Sequence, residues 1–269
     1  MSGNFVFTSC NFIKDLVDRA KHLYKEQKFH ESLCIYKELL RINPGCADIQ
    51  NDTGVLYSAA GQFDTSCIYF LKALDIDPFF AYAHNNLANS LRKQNKIEQA
   101  LAHYKKALEL KSDVWQFYYN HASAFYETAR WEDGIALALQ GLQYSGNNYH
   151  MSTLLGLLYS EHMETDRAIE WLKNAIDINP SSFLPFMYAG TIFHKNEHYE
   201  LAMEYYKKSL HLNKDNACIY KYIGDLYHDL GNFKQSIRYY QKATEVKIGK
   251  GTIRAETLKV FYLEAMSTG

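Results

Sequence analysis

The sequence contains no long apolar run and no surplus of charge of one sign. No segment approaches the roughly 20 apolar residues that cross a bilayer, so we expect no membrane insertion. Lys and Arg number 29 against 30 Asp and Glu, and the formal net charge is −1. General binding of nucleic acid needs an excess of cations. We therefore predict a soluble chain without a nucleic-acid partner.

The cysteines follow no known framework. Five are scattered along the chain and no two form a CxxC motif, which fits a reducing compartment better than a disulfide-bonded protein. Cys10 follows the short apolar stretch Phe5–Phe7, faintly like a lipoprotein cleavage site. A signal needs a basic start and about 7–15 apolar residues. We therefore predict a cytoplasmic protein, and leave open whether Cys10 is modified.

Motifs for catalysis and cofactor binding are missing as well. The chain has no Gly-rich phosphate loop and no nucleophile elbow. His194 and His198 are four residues apart, but Asn196-Glu197 between them falls at an expected helix–helix turn. This arrangement differs from the HExxH helix of zinc proteases. We predict no metal, no cofactor and no enzymatic activity.

What the sequence does contain is a 34-residue period that runs from Ile13 to Lys250 without an insertion or deletion. A period of 20–50 residues indicates a solenoid or array, and one of 34 indicates paired helices. Only residues 1–12 and 251–269 lie outside the array, which leaves no room for a separate catalytic domain. The seven blocks are 13–46, 47–80, 81–114, 115–148, 149–182, 183–216 and 217–250.

Four positions keep the same kind of side chain along the array. Positions 8 and 20 hold only small residues, position 11 is always large, and position 24 is mostly aromatic. Large side chains beside small ones at fixed offsets let helices interdigitate. The small residues are Ala20, Gly54, Ala88, Ala122, Gly156, Gly190 and Gly224 at position 8, and Ser32, Ser66, Ala100, Gly134, Ala168, Ala202 and Ser236 at position 20. The large ones are Leu23, Tyr57, Leu91, Phe125, Tyr159, Phe193 and Tyr227 at position 11, and Tyr36, Phe70, Tyr104, Ala138, Leu172, Tyr206 and Tyr240 at position 24.

Each block also has the pattern of helix, turn and helix. In block 2, residues from Gln50 to Tyr57 follow the i, i+3, i+4, i+7 spacing of a helix. Gly61 can take the left-handed conformation that ends this helix. The second helix carries its apolar face from Cys67 to Leu74. Prolines follow the second helix in three blocks, where a missing N–H is tolerated: Pro44, Pro78 and Pro180.

These residues resemble the tetratricopeptide repeat (TPR) family, in seven in-phase copies. The resemblance implies an all-α fold, a right-handed superhelical solenoid of antiparallel helix pairs. Block 4 departs from the pattern with Ala138 and Gly146, and block 5 with Met163 at its turn. We expect residues 1–12 to form an N-terminal arm that packs on block 1. Residues 251–269 would form a C-terminal capping helix and tail, because the end of a solenoid needs a polar outer face; a detachable or dimerising helix is the alternative.

In this family the first helix of each pair lines the concave surface, which implies that positions 2, 5, 6, 9, 12 and 13 face a groove. A row of asparagines there could hold the backbone of an extended peptide, since each amide both donates and accepts. Tyrosine offers rigid contact area with a polar tip. Alternatively, the asparagines bond within their own helix pair and the tyrosines are buried between repeats. The candidate partner-binding residues are Asn85, Asn86, Asn89, Arg92, Lys93, Tyr119, Asn120, Tyr126, Tyr188 and Tyr222.

Two known uses of such repeats fit less well. Some family members hold the acidic tails of heat-shock chaperones with Lys at position 5 and Asn at position 9, where block 1 has Val17 and Lys21. The asparagine row is also similar to the repeats of O-linked N-acetylglucosamine transferases, although it ends at Asn120 and no transferase domain accompanies it. This similarity implies a way of holding peptide and not the reaction.

We therefore predict a non-catalytic adaptor or scaffold that binds an extended peptide or helix of another protein in its groove. The alternative is a self-assembling scaffold, a homo-oligomer in which one copy's terminus fills its neighbour's groove. Its basis is a charge difference between the ends. Block 1 is basic at groove positions and block 7 is acidic: Lys14, Lys21, Lys25, Asp225 and Asp229.

Overall fold

The computed structural model describes the backbone of residues 3–249 and the side chains of residues 12–246. Regular structure within these ranges is entirely α-helical. The chain divides into two compact units, unit 1 from Met1 to Tyr144 and unit 2 from Ser145 to Gly269. The helices of unit 1 are α1 (Gly3–Lys25), α2 (Phe29–Ile42), α3 (Ala47–Ala59), α4 (Phe63–Ile76), α5 (Ala81–Lys93), α6 (Ile97–Leu110), α7 (Trp115–Glu127) and α8 (Trp131–Ser145), which ends at the boundary. Those of unit 2 are α9 (Tyr149–Glu161), α10 (Thr165–Ile178), α11 (Phe183–Lys195), α12 (Tyr199–Leu212), α13 (Ala217–Asp229) and α14 (Phe233–Gly249).

Packing within each unit follows the order of the chain. Consecutive helices pair closely, as α3 does with α4 and α11 with α12, and the second helix of a pair packs on the first helix of the next. The first helices also contact one another, α3 with α5 and α5 with α7 in unit 1, and α9 with α11 and α11 with α13 in unit 2. The predicted all-α array of antiparallel helix pairs is confirmed. In each unit the first helices form one surface, which we call the first-helix face.

The turns inside the pairs share one backbone device. In every block the residue at position 15 has a positive φ, between 56° and 73°. The next N–H then donates to the carbonyl of position 11, as Gln62 does to Tyr57 over 2.9 Å, which closes the helix with a left-handed cap. Gly61 has the predicted conformation. The seven residues are Gln27, Gly61, Asn95, Ala129, Met163, Glu197 and Gly231.

Positions 8 and 24 pack against each other, which explains why one is small. A Cβ atom added to Gly54 would lie 2.6 Å from Cε1 of Phe70, and one added to Gly156 would lie 2.6 Å from Cγ of Leu172. In block 4 the pair is Ala122 and Ala138, and both are fully buried. Both residues of block 4 are therefore buried although its position 24 lacks an aromatic ring.

The two ends of the chain differ in how far the structure describes them. Helix α1 begins at Gly3 and continues to Lys25, so the backbone of residues 3–12 extends the first helix of block 1. No proline or glycine interrupts the chain between Gly3 and Lys25, and the helix can propagate. The capping helix expected from Thr252 to Met266 lies outside the described residues.

Candidate protein-binding face

An uninterrupted chain of amide hydrogen bonds crosses the first-helix face of unit 1. Asn120 donates from Nδ2 to Oδ1 of Asn85 over 3.0 Å, and Asn85 donates to Oδ1 of Asn86 over 3.4 Å. Asn86 donates to Asn51 over 3.0 Å, and Asn51 donates to Oδ1 of Asp52 over 3.2 Å. We call these five residues the amide ladder. It joins three consecutive first helices, α3, α5 and α7.

The members of the ladder differ in exposure. Asn51 and Asn85 are 6% and 5% exposed. Asn51 bonds to Asp52 of its own helix and to Asn86 of α5, and Asn85 bonds to Asn86 of its own helix and to Asn120 of α7. Asn86 and Asn120 are half-buried. Each ladder bond uses one amide hydrogen and one lone pair, so an amide retains further capacity to bond. The buried pair holds the ladder in place, and Asn86 and Asn120 remain accessible.

The ladder ends on a carboxylate that has further partners. Asp52 accepts a 2.9 Å hydrogen bond from the hydroxyl of Tyr36, and Nζ of Lys21 lies 3.7 Å from its Oδ2. Burial raises the pKa of Tyr36, and the neighbouring Asp52 raises it further. The phenol therefore stays protonated and remains a donor. Beside these groups is an open pocket of 170 Å³, whose lining includes Tyr24 and Leu56.

A second tyrosine, Tyr104, donates to a first helix as Tyr36 does. The hydroxyl of Tyr104 donates to Oδ1 of Asn89 over 2.6 Å. Next to it, Arg92 forms a 3.2 Å ion pair with Glu127 of the following block, with 15% of the Arg92 side chain exposed. Lys93 is exposed at the end of α5. Asn89 and Arg92 are thus held by partners within the fold, whereas Lys93 extends into solvent.

The predicted tyrosines lie on both units. Tyr119 and Tyr126 of α7 are half-buried, on the same helix as Asn120. In unit 2, Tyr188 and Tyr222 are also half-buried. The ring of Tyr222 stacks on that of the buried Tyr206, with ring centroids 5.9 Å apart. The structure therefore brings Asn85, Asn86 and Asn120 together in unit 1, and places Tyr188 and Tyr222 in a separate, aromatic region.

Ionic contacts at the ends of the first helices connect neighbouring repeats of unit 2. Asp229 accepts from His194 over 2.9 Å and lies 3.3 Å from Nδ1 of His228. Burial opposes ionisation of Asp229, but the hydrogen bonds from the two histidines outweigh it and lower the pKa of Asp229. Lys195 pairs with Glu161 over 3.2 Å. Among the described side chains, no three His, Cys, Asp or Glu residues are arranged to hold a metal ion.

Two histidine environments in unit 1 were not predicted. His84 and His103 approach within 2.9 Å through their Nδ1 atoms, and burial lowers the pKa of His103. His121 is buried, and its ring stacks on Phe125 with centroids 4.7 Å apart. Burial, followed by the charge of Arg130, lowers the pKa of His121 to about 4. The ring of His121 also stacks on Tyr104 of α6 with centroids 5.6 Å apart, so both environments depend on contacts between helices.

A spacing of 35 residues recurs in the bonds between repeats. It separates Asn51 from Asn86, Asn85 from Asn120, Arg92 from Glu127, and His194 from Asp229. Each bond therefore joins a position to the following position in the next block, one residue beyond the period. This spacing is a signal that the sequence contains. A search for complementary side chains at 35 residues would have found Asn51 as a member of the ladder.

Comparison with known proteins agrees with the repeat architecture. Models of the tetratricopeptide repeat match residues 17–79, 81–114, 189–216 and 223–247, together more than half of the chain. In the part of the chain that the structure describes, no helix is both long and apolar enough to cross a membrane.

Relatives and solved structures of several kinds are similar to the chain. The peroxisomal targeting signal receptor of Candida albicans is 30% identical over 145 residues, which are 49% of this chain and 24% of that protein. The chain spans a quarter or less of the length of the curated relatives it matches.

Among solved structures, a tetratricopeptide repeat protein from Parabacteroides merdae has a TM-score of 0.76 at 13% identity, over 94% of this chain and 98% of that one. The structure of YrrB, described as a TPR protein with an unusual peptide-binding site, has a TM-score of 0.53 at 16% identity, over 68% of this chain and 95% of that one. At these identities the likeness concerns the fold. With its repeat models, paired helices and recurrent small-to-large packing, the chain belongs to the tetratricopeptide repeat family.

Proposed function

We propose that the chain is a non-catalytic adaptor whose first-helix face in unit 1 binds an extended segment of a partner protein. The amide ladder is the observation that carries this proposal. Its half-exposed members, Asn86 and Asn120, are fixed by bonds to buried amides and retain donors and acceptors. Such a row matches the alternating N–H and C=O groups of an extended backbone.

Preorganisation favours this role. An amide that is already oriented loses little side-chain entropy when it binds, so more of each new hydrogen bond contributes to affinity. Asn89 and Arg92 are similarly held by Tyr104 and Glu127. Exposed Lys93, together with Tyr119 and Tyr126 on α7, would contact side chains of the bound segment. The ladder would then supply affinity and these residues selectivity.

The relatives support a protein ligand. One is named a receptor for a targeting signal, and one solved structure of the same fold is described by its peptide-binding site. The charge difference that suggested self-assembly is partly neutralised within the fold, because Lys21 lies near Asp52 and Lys221 pairs with Asp225. We therefore favour a foreign segment over a second copy. We further propose a reducing, cytoplasmic location, consistent with the free thiols of Cys34, Cys46, Cys67 and Cys218.

The test uses peptides selected on the full chain from a random library of 12-residue sequences. Replacing Asn86→Ala and Asn120→Ala together should weaken such peptides by roughly tenfold or more, because at least two hydrogen bonds of about 1 kcal/mol are lost. The control Asn147→Ala changes an exposed asparagine outside the helices and should bind as the wild type does. If the double variant keeps wild-type affinity for every selected peptide, the ladder is not the binding site.

The double variant also removes two bonds between repeats, so a loss of folding must be separated from a loss of contact. Lys93→Ala removes a contact without removing a ladder bond, because Lys93 is exposed and is not a member of the ladder. We expect it to alter affinity for acidic peptides at unchanged thermal stability. Circular dichroism of each variant at the temperature of the binding assay completes the comparison.

A further inference from the structure

The tyrosines at position 24 have a consistent hydrogen-bonding role in three blocks. Tyr36 donates to Asp52, Tyr104 to Asn89 and Tyr240 to Asp225, over 2.9, 2.6 and 2.7 Å. In blocks 3 and 7 the acceptor is position 9 of the same block, and in block 1 it is position 6 of the next one. These tyrosines of the second helices thus donate hydrogen bonds to side chains of the first helices.

Tyr206 of block 6 breaks this rule. Its side chain is 0% exposed, and its hydroxyl has no hydrogen-bond partner among the described residues. The equivalent position 9 is Thr191, whose Oγ1 donates to the carbonyl of Tyr188 over 2.7 Å. Position 6 of the next block is Tyr222, which offers a stacked ring where block 2 offers a carboxylate. Neither position therefore offers the amide or carboxylate oxygen that accepts from the tyrosine in the other blocks, and the Tyr206 hydroxyl bonds to neither residue.

The nearby carboxylate does not compensate. Asp225 is occupied by the hydroxyl of Tyr240 over 2.7 Å and by Lys221 over 2.8 Å. Burial raises the pKa of Tyr206, and Tyr222 and Asp225 raise it further, so the hydroxyl keeps its proton and can only gain by donating it to an acceptor. A buried donor without a partner is costly. A donor in this state beside the first helix α13 can be satisfied by an acceptor from outside the chain.

We propose that the Tyr206 hydroxyl is the donor of a ligand subsite on the first-helix face of unit 2, and that it binds a neutral carbonyl oxygen of a polypeptide. The oxygen belongs to a main-chain amide or to an Asn or Gln side chain. A carboxylate fits less well, because the nearby Asp225 would repel it and Lys221 is already paired. Because Tyr206 is fully buried beside the stacked ring of Tyr222, we expect Tyr222 to change its rotamer when the oxygen enters.

This inference rests on the proposed function, since it assumes that the first-helix face binds polypeptide, but it concerns a different unit and different residues. In this subsite the rings of Tyr188 and Tyr222 would pack against the bound segment on either side of the hydrogen bond from Tyr206. The amide ladder of unit 1 holds a backbone by a row of amides, whereas the unit 2 subsite fixes a single carbonyl. The two sites can therefore be tested separately.

The experiment compares Tyr206→Phe with the wild type, using peptides selected on the full chain from the same random library. Removing only the hydroxyl should weaken at least one peptide about three- to tenfold, the value of one neutral hydrogen bond. The melting temperature should stay the same or rise, because the variant loses an unsatisfied group. Tyr118→Phe is the matched control. It removes the hydroxyl of another buried tyrosine, which donates to the carbonyl of Ser112 over 3.0 Å, and it should lower the melting temperature without weakening the Tyr206-dependent peptides.

A second variant supplies the missing acceptor from within. Thr191→Asn reproduces the arrangement of block 3, where Asn89 accepts from Tyr104. The new amide should occupy the Tyr206 hydroxyl, raise the melting temperature and weaken the same peptides as Tyr206→Phe. Agreement between the two variants supports the subsite, since one removes the donor and the other engages it.

The remaining outcomes separate this subsite from the ladder. Peptides that depend on Asn86 and Asn120 but bind Tyr206→Phe as they bind the wild type would overturn the subsite and leave the proposed function standing. Peptides that depend on Tyr206 alone would support the subsite and contradict the ladder. A library that yields no binding peptide would contradict both.

Discussion

At the scale of single residues, the turns of the helix pairs show where the chain tolerates strain. All seven position-15 residues are left-handed, yet only Gly61 and Gly231 are glycines. A left-handed conformation costs a typical L-residue roughly 1–2 kcal/mol, and asparagine adopts it more readily. Gln27, Met163 and other residues adopt it because the helix pair on either side imposes the turn.

Met163→Asn should stabilise the protein. Met163 has a φ of 65° and is 86% exposed, so its side chain contributes little packing, and Asn95 has the same conformation at the same position of block 3. We expect the free energy of unfolding to rise by about 0.5–1 kcal/mol, measured by urea denaturation. The opposite change, Gly61→Met, should lower it by a similar amount. A destabilised Met163→Asn would mean that the methionine makes an apolar contact that outweighs the strain.

His121 makes stability depend on pH. Its pKa falls from 6.5 to about 4 in the folded protein because it is buried. Between these values the unfolded chain binds a proton that the folded chain does not, so stability is full above pH 6.5 and decreases as the pH falls towards 4. The total loss would be on the order of 3 kcal/mol.

His121→Phe should flatten this dependence, since the phenyl ring can keep the stacking with Phe125 and cannot titrate. Urea denaturation at pH 7, 6 and 5 measures the effect for both proteins. The pKa of His103 is also lowered, so His103 makes the stability of both proteins fall with falling pH. Equal losses in the wild type and the variant would show that His121 is not responsible.

At the scale of helices, the sequence predicted where elements begin more reliably than how they touch. Helices α3, α5, α7, α9, α11 and α13 start at the first residue of their blocks, because a period without insertions fixes the register. The ten residues before the first block continue α1, which the repeat pattern does not indicate because it carries no information outside the array. The sequence predicted large side chains beside small ones, and the structure shows that position 8 packs on position 24.

A double-mutant cycle between positions 8 and 24 tests this packing. Gly156→Ala should destabilise unit 2 by about 1–3 kcal/mol, because the new Cβ would lie 2.6 Å from Leu172 Cγ and 3.2 Å from the carbonyl of Ala168; Gly156→Leu should cost at least as much. Combined with Leu172→Ala, the pair becomes the Ala–Ala combination of Ala122 and Ala138 in block 4. The double variant should then lose less stability than the sum of the single variants.

Gly45→Ala is the control for these variants, because a Cβ at Gly45 would meet no atom within 4 Å. It should change the free energy of unfolding very little. Additive effects of Gly156→Ala and Leu172→Ala in chemical denaturation would indicate that the two residues do not share the space the structure gives them.

At the scale of the whole molecule, the helices of each unit contact one another within a repeat or between adjacent repeats. Repeat proteins with this organisation open locally, because each repeat interacts with its neighbours only. Gly54→Ala would place a Cβ 2.6 Å from Phe70. Amide hydrogen exchange should accelerate roughly tenfold or more in α3 and α4 and less in α2 and α5. Helices α11 to α14 should retain wild-type protection; uniform acceleration along the chain would show that unfolding is global.

The alternative of self-assembly also belongs to this scale. If copies associate through the charge difference between blocks 1 and 7, light scattering should show a mass that rises with concentration and falls with added salt. Because Lys21 lies near Asp52 and Asp225 pairs with Lys221 within the fold, we expect a constant mass. A salt-sensitive increase in mass would favour the scaffold over the adaptor.

The sequence by itself determined the family, the helix pairs and the small residues at their interfaces. These properties recur at 34 residues, and each depends on local spacing along one helix or on the register between blocks. Only the tertiary structure decided which polar groups satisfy one another. The amide ladder joins Asn86 to Asn51 across two repeats, and Tyr206 lacks the acceptor that Tyr104 has. Hydrogen bonds require distances near 3 Å, which depend on how stacked helices are offset, and a repeat pattern fixes neighbours without fixing that offset.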